Sequence, residues 1–383
     1  MSVSISLVYA TNIWSHHQAP VATEMARIMG WDSFRMALFE EVPVERRKMG
    51  YGERDVSPWL IGPPADDQDK NRLLKQCQAA DVLVFGACPM ELLMARVSMR
   101  KLTLVATERL LKKEFHRVRL LNPRYAGGFR EYRALVNHPF VHALTIGHFA
   151  PDDLRTVGVF GNRMWKWGYF GEVNAEPPRQ MPSKGVNLLW VGRMVDWKRV
   201  DLLLRAVARI SSLSAFSECT IVGDGPEKTR LLRLARHLHL DPTRVRFVPS
   251  VPVSEVRRLM RESDIYVLTS NRQEGWGVPA NEAMSEGCVL VANQDAGAAQ
   301  ELVVHNETGF LFSDGDDQHL SGILECLIND RGLRMRLRQK AWERMNALWH
   351  PRVAAERLIR LCEGLLRGDP PSFVEGPCSK EVA

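Results

Sequence analysis

Six short apolar runs punctuate residues 186–312, and the first five stop abruptly at a turn-forming or small polar residue. Val186–Val191 stops at Gly192, Cys219–Val222 at Gly223, Val245–Val248 at Pro249, Ile265–Leu268 at Thr269-Ser270 and Val289–Ala292 at Asn293; Gly309–Phe312 closes the series. Each of these short, mainly apolar runs reads as a strand. Helix-length stretches separate them. After the first run, Leu203, Ala206, Val207 and Ile210 recur at helical spacing. Strands alternating with helices predict a parallel sheet with right-handed crossovers.

The first half repeats this rhythm less clearly. Its strands are expected at Ser4–Ala10, Val82–Phe85, Leu102–Ala106 and His142–Ile146, with helices near Val21–Met29, Arg72–Ala80 and Met90–Met99. Residues 40–69, rich in proline, glycine and charge, read as a long loop. Asn174–Lys184 carries three prolines and no apolar period, and so reads as a linker. The expected organisation is a first domain over 1–175, a second over 186–350, a closing helix over 351–367 and a Pro-rich disordered tail over 368–383. A chain of 383 residues is long enough for two domains at ~100–200 residues each.

Composition narrows the class further. With 45% apolar and 25% charged residues the chain is neither collagen-like nor wholly disordered. No apolar run nears the ~18–20 residues that span a bilayer. The opening MSVSISLVYATN lacks a basic run and a cleavage pattern, so no signal peptide is expected. Seven cysteines without C-x-x-C spacing fit a reducing compartment and argue against a zinc ribbon. The expected location is cytoplasmic or membrane-peripheral. The charge excess lies wholly in residues 1–185, which hold 25 Lys and Arg against 19 Asp and Glu. Residues 100–133 alone hold ten basic against three acidic residues. Such a segment is either a solvated face or a surface for a phosphorylated acceptor or an anionic membrane.

Ligands of open parallel sheets bind beyond the carboxyl ends of the strands. The unusual residues of the second half fall there. Arg193 and Lys198 follow the first strand, five residues apart, and both can face one anion. Gly223-Asp224-Gly225-Pro226 follows the second. Ser270–Gly277 (SNRQEGWG) follows the fourth, and Pro279 suits the first turn of a helix. Glycines at Gly275 and Gly277 free backbone N–H groups for a phosphate. Glu274 and Glu282, with seven residues between them, can accept hydrogen bonds from sugar or ribose hydroxyls; Glu282 alone would equally serve the helix dipole.

In this order the segments GRMVDWKRVDLLL, IVGDGPEKTRL, VRFVPSVP, EGWGVPANE and NETGFLF resemble the retaining glycosyltransferases of family 4, of group 1 type. The resemblance covers Val186–Phe312 closely and the first half in outline. It implies an α/β GT-B fold: two Rossmann-like β/α/β domains facing across a cleft, the first for acceptor, the second for a nucleoside-diphosphate sugar linked to UDP or GDP. The implied reaction is hexosyltransferase-like glycosyl transfer with retention, serving the biosynthesis of glycans, glycolipids or glycosylated natural products. Arg193 and Lys198 should neutralise the leaving diphosphate, Glu282 should hold the ribose, and Glu274 should touch the transferred sugar. The loop Pro249, Ser250 and Val251 should lie against the base, with Gly223 nearby. Backbone groups at Gly275, Trp276, Gly277 and Val278 should meet phosphate or sugar. No metal or other cofactor is expected, because Arg and Lys supply the charge. The closing helix should pack back on the first domain.

The chain departs from the family pattern in places. Lys198-Arg199 stands for Lys-Gly, Phe247-Val248-Pro249 for Phe-x-Gly, and Gly275-Trp276-Gly277 for Gly-Phe-Gly. Thr107-Glu108-Arg109 follows Leu102–Ala106 where many members have a histidine. His16 and His17, after the first strand, are the acceptor-side candidates. Asp314-Gly315-Asp316 satisfies the D-x-D pattern of metal-dependent transferases, but its place before a helix reads as a turn and N-cap. Trp165, Trp167 and Tyr169 could stack on sugar or pack a core. The rival readings are another enzyme of this fold, such as a nucleotide-sugar epimerase or a phosphorylase, and a non-catalytic binding subunit.

Overall fold

The structure is a computed structural model that describes residues 5–48, 57–112, 123–178 and 185–382. The chain divides into two units, Met1–Gly171 with Leu348–Ala383, and Glu172–Ala347. The first unit holds strands β1 (Leu7–Thr11), β2 (Phe34–Leu38), β3 (Leu60–Ile61), β4 (Val82–Phe85), β5 (Leu102–Thr107), β6 (Val141–Ile146) and β7 (Met164–Trp167). They form one parallel sheet in the order β3-β2-β1-β4-β5-β6-β7. Apolar strands face helices on the sheet, so Val8, Ala10, Leu83, Phe85, Val105 and Ala143 are buried in one cluster.

The second unit holds β8 (Val186–Val191), β9 (Phe216–Val222), β10 (Val245–Val248), β11 (Ile265–Leu268), β12 (Val289–Asn293) and β13 (Gly309–Phe312). They form a second parallel sheet, β10-β9-β8-β11-β12-β13. The stripe Leu203, Ala206, Val207 and Ile210 of helix Val200–Ile210 is buried against Leu188, Ile221 and Leu324. Both units are thus Rossmann-like: chain order starts in the middle of the sheet, runs to one edge, then returns to fill the other.

Three strands escaped the sequence reading. Arg35 interrupts β2, β3 has two residues, and β7 alternates Lys166 with buried tryptophans. Trp165 and Trp167 therefore belong to the core, at 3% and 2% exposure. Residues 40–69 are not one loop: they contain the short helix Val44–Lys48, β3 and the start of helix Asp67–Ala79, while 49–56 lie outside the described residues. The reading of 174–184 as a linker falls partly outside them too, at 179–184. Its described end packs on the second unit, with Trp342 Nε1 donating to the Asn174 carbonyl at 2.7 Å.

Helix Pro351–Arg367 belongs to the first unit, where it packs on helix Ala19–Met29 and buries Ala354, Ala355, Leu358 and Leu361. The tail beyond it, expected to be disordered, is packed. An edge strand leaves a row of backbone groups unpaired, and the tail fills that row on β7. Cys378 N donates to the Lys166 carbonyl at 2.7 Å, Lys166 N to the Ser379 carbonyl at 2.8 Å, and Glu381 N to the Met164 carbonyl at 3.1 Å. Cys378 and Ser379 are buried. Proline-rich composition said nothing of this pairing, because it arises from an edge distant in sequence. Removal of residues 378–383 should destabilise the first unit by about 3 kcal/mol, since three backbone hydrogen bonds are lost and each contributes roughly 1 kcal/mol. Denaturant unfolding followed by tryptophan fluorescence measures this, and an unchanged midpoint would contradict it.

Candidate functional site

The strand order of the second unit reverses between β8 and β11. Their connections leave in opposite directions, which opens a crevice beyond their carboxyl ends. The two ends are stitched together. Thr269 Oγ1, at the end of β11, donates to the Lys198 carbonyl at 2.6 Å and accepts from Trp190 Nε1 at 3.1 Å. Asn271 N donates to the Trp197 carbonyl at 2.9 Å. Lys198 closes a single 3-10 turn, Asp196–Lys198, beside this seam.

Arg193 is exposed on the same loop, and its guanidinium makes no hydrogen bond or ion pair among the described residues. Lys198 Nζ pairs with Glu274 Oε2, both side chains being 15% exposed. Glu274 N donates to the Asn271 carbonyl at 3.0 Å, which fixes its backbone to the end of β11. Glu282 is buried in helix Pro279–Ser285. Tyr266, fully buried, donates its phenol to the Val191 carbonyl at 3.1 Å. Burial raises the pKa of that phenol, and the charges of Glu282 and Glu274 raise it further. Two carboxylates and one cation from separated segments therefore meet around the β8–β11 seam.

The remaining donor-side candidates line neighbouring loops. A Cβ at Gly223 would stand 1.9 Å from the Gly192 carbonyl oxygen, so only glycine lets the loops after β8 and β9 approach so closely. The Asp224 carboxylate accepts from Ser250 N at 2.8 Å and pairs with Lys228, whose hydrogen bond holds the carboxyl below its ordinary range. That contact brings Pro249 and Ser250, both exposed, and half-buried Val251 beside the Gly223 loop. Gly275, Trp276 and Gly277 are buried and Val278 is partly so. Trp276 Nε1 donates to Asn281 Oδ1 at 2.6 Å, and its carbonyl accepts from Ala298 N at 2.9 Å. Trp276 thus anchors the loop by its side chain.

Sequence reasoning missed several contributors. Gly297 presses on this loop; a Cβ there would lie 1.8 Å from the Gly275 carbonyl oxygen. Ser270 Oγ is buried without a hydrogen-bond partner among the described residues, next to the seam. Its place directly after an apolar strand was the available signal. Glu286, four residues beyond Glu282, serves the fold: its buried carboxylate is shared by Arg257 at 2.5 Å and Arg261 at 3.1 Å. The D-x-D segment is accounted for by the fold. Asp314 accepts from Asn293 Nδ2 at 2.7 Å, and Asp316 caps helix Asp317–Asn329 by accepting from His319 N at 2.8 Å. Among the described residues no group of three or more His, Cys, Asp or Glu is arranged to hold a metal ion.

In the first unit His16 and His17 lie after β1. His17 and Tyr169 meet edge to face, ring centres 4.8 Å apart, and Tyr169 donates its hydroxyl to Glu108 Oε1 at 2.7 Å. Lys112 pairs with the other oxygen of Glu108 at 2.5 Å. Loops after β1, β5 and β7 thus converge, and Glu108 is the polar group at the end of β5. Burial, aided by the charges of His16 and Arg46, lowers His17 to a pKa of about 3. In the basic segment 100–133, residues 113–122 lie outside the described residues. Several of its other cations serve the fold. Arg109 and Asp153 form a buried pair at 3.0 Å, Lys101 binds the Ala80 carbonyl at 3.3 Å, and Arg133 binds the Gly158 carbonyl at 3.1 Å. No helix among the described residues is long and apolar enough to cross a membrane.

Residues 175–344, nearly the whole second unit, match the family model described as Glycosyl transferases group 1. That unit is thus similar in sequence to the group 1 glycosyltransferases. The uncharacterized glycosyltransferase YqgM of Bacillus subtilis is 26% identical over 192 residues, 50% of this chain and 52% of that protein. N-acetyl-alpha-D-glucosaminyl L-malate synthase of Bacillus anthracis is 30% identical over 156 residues, 41% of this chain and 39% of that protein. The chain therefore spans about half or less of the length of these relatives. Anabaena Alr3699/HepE, solved in complex with UDP, superposes with a TM-score of 0.67 at 18% identity, over 93% of this chain and 98% of that one. The fold over both units is the GT-B fold.

The depressed pKa of His17 makes a stability prediction. Its ordinary value is 6.5, so the unfolded chain takes up a proton first as pH falls. The contribution is complete above that value and is lost on acidification, by up to about 1.4 kcal/mol per pH unit. His17→Gln should flatten the loss of stability between about pH 6 and pH 4, read by denaturant midpoints at each pH. An unaltered slope would show that His17 titrates normally.

Proposed function

We propose that this protein is a retaining glycosyltransferase of family 4 that moves a sugar from a nucleoside-diphosphate sugar to a hydroxylated acceptor without a metal ion, in glycan or glycolipid biosynthesis. The observation that carries the reading is the meeting of Lys198, Glu274 and Glu282 at the β8–β11 seam, with Arg193 exposed on the same loop. Two cations there can take the charge that develops on the departing diphosphate, where a fixed positive group acts on the transition state more than on the ground state. Glu282 holds the ribose, and Glu274 faces the sugar. Gly223, Pro249, Ser250 and Val251 flank the base, and the backbone of Gly275–Val278 meets phosphate or sugar. Ser270 Oγ offers one more hydrogen bond.

UDP-glucose is the first donor to try, and UDP the first product to test for binding, because Anabaena HepE was solved with each. On the acceptor side we place His16 and His17. At neutral pH His17 is an uncharged imidazole that can accept or donate one hydrogen bond to an acceptor hydroxyl.

Arg193→Ala should lower transfer from the donor by a factor of about 100, the scale of removing one preorganised transition-state group. Because Arg193 is exposed and supports no neighbour, its unfolding midpoint should not move. Activity within twofold of the parent would place the diphosphate elsewhere. Glu282→Gln should weaken binding of the bare nucleoside diphosphate, since ribose contacts are made equally in ground and transition states. Calorimetry with UDP and GDP reads this directly. Turnover should persist in excess EDTA; its loss and rescue by manganese or magnesium would overturn the metal-free part.

A further inference from the structure

Resting on the reading of residues 193–282 as the donor site, we propose that Glu274 is a resident counter-ion of Lys198, and that their pairing makes the site favour the intact nucleotide sugar over the nucleoside diphosphate left after transfer. Glu274 and Lys198 are not two independent ligands waiting in an open crevice. Lys198 Nζ and Glu274 Oε2 already neutralise one another, and each side chain is only 15% exposed. Oε2 is buried, and no hydrogen bond from another group reaches it among the described residues.

The backbones on both sides are held to the same strand end. Thr269 Oγ1 binds the Lys198 carbonyl, Asn271 N binds the Trp197 carbonyl, and Glu274 N binds the Asn271 carbonyl. The side chains can part, but the residues carrying them cannot drift. When Lys198 turns to a phosphate, Oε2 loses the one partner it has. A buried carboxylate oxygen without a partner is strongly disfavoured.

The intact donor removes that difficulty from both sides. Its diphosphate takes the ammonium, and a hydroxyl of its sugar donates to the carboxylate. Once the sugar has gone, the diphosphate still draws on Lys198, but nothing donates to Oε2. Lys198 is then drawn back to Glu274, and of the two cations only Arg193 is left to the diphosphate. The pair thereby ranks donor above product and promotes product release.

The test is calorimetric binding of UDP, GDP and UDP-glucose to the full chain and to Glu274→Gln, which keeps the side chain's size and removes its charge. The variant should bind the nucleoside diphosphate about tenfold more tightly, the scale of a partly buried ion pair no longer competing. Its preference for UDP-glucose over UDP should fall below that of the parent. Adding Lys198→Gln should abolish the gain. Glu274→Asp, whose shorter side chain weakens the pair, should move in the same direction by less, and it carries the test if the glutamine variant does not fold. Unchanged or weaker UDP and GDP binding by a folded Glu274 variant would overturn the counter-ion proposal while leaving the donor site standing. A parent chain that binds neither diphosphate would overturn the donor-site reading itself.

Discussion

The second unit depends on how the carboxyl ends of β8 and β11 are joined. Main-chain pairing between these strands is brief, joining only Ile265 with Leu188 and Tyr266 with Leu189. Beyond it the strands must diverge, because their crossovers leave toward opposite edges. Side chains take over where the ladder stops. Trp190 and Thr269 bridge the gap, Tyr266 caps the Val191 carbonyl, and the main chain of Asn271 meets that of Trp197. Buried donors and acceptors must be satisfied somewhere. Here they are satisfied by holding two loops at fixed separation, and those loops carry Lys198 and Glu274.

A rigid seam with charged residues above it has electrostatic consequences. The charges of Glu282 and Glu274 add to burial in keeping the Tyr266 phenol protonated and donating to Val191. Lys198 relieves part of that negative charge. Glu286, by contrast, is neutralised by two arginines and holds helix Val253–Glu262. Of three glutamates within thirteen residues, Glu274 pairs with Lys198 at the seam, Glu282 is buried in its helix, and Glu286 is held between two arginines.

The first unit repeats the topology with a different surface. The end of β5 carries Glu108 instead of a histidine, and Tyr169 and Lys112 hold that carboxylate. His17 is kept neutral by burial. Its sheet extends to an edge that needs cover, and residues 378–382 supply it. The same need explains the ordered tail.

By itself the sequence determined the alternation of strand and helix, since short, mainly apolar runs such as Ile265–Leu268 and Val289–Ala292 suit strands with both faces covered. It also determined which residues follow each strand, and so which loops could carry Arg193, Lys198, Glu274 and Glu282. The short or interrupted strands β2, β3 and β7 were not legible, because their burial depends on neighbours distant in the chain. Sequence spacing likewise could not say that Lys198 and Glu274, 76 positions apart, pair with one another. Nor could it say that Gly297 presses on Gly275, or that the tail closes β7. Those facts follow from the order of strands in the sheet, which sets the ends that become neighbours; only the tertiary structure decided that order.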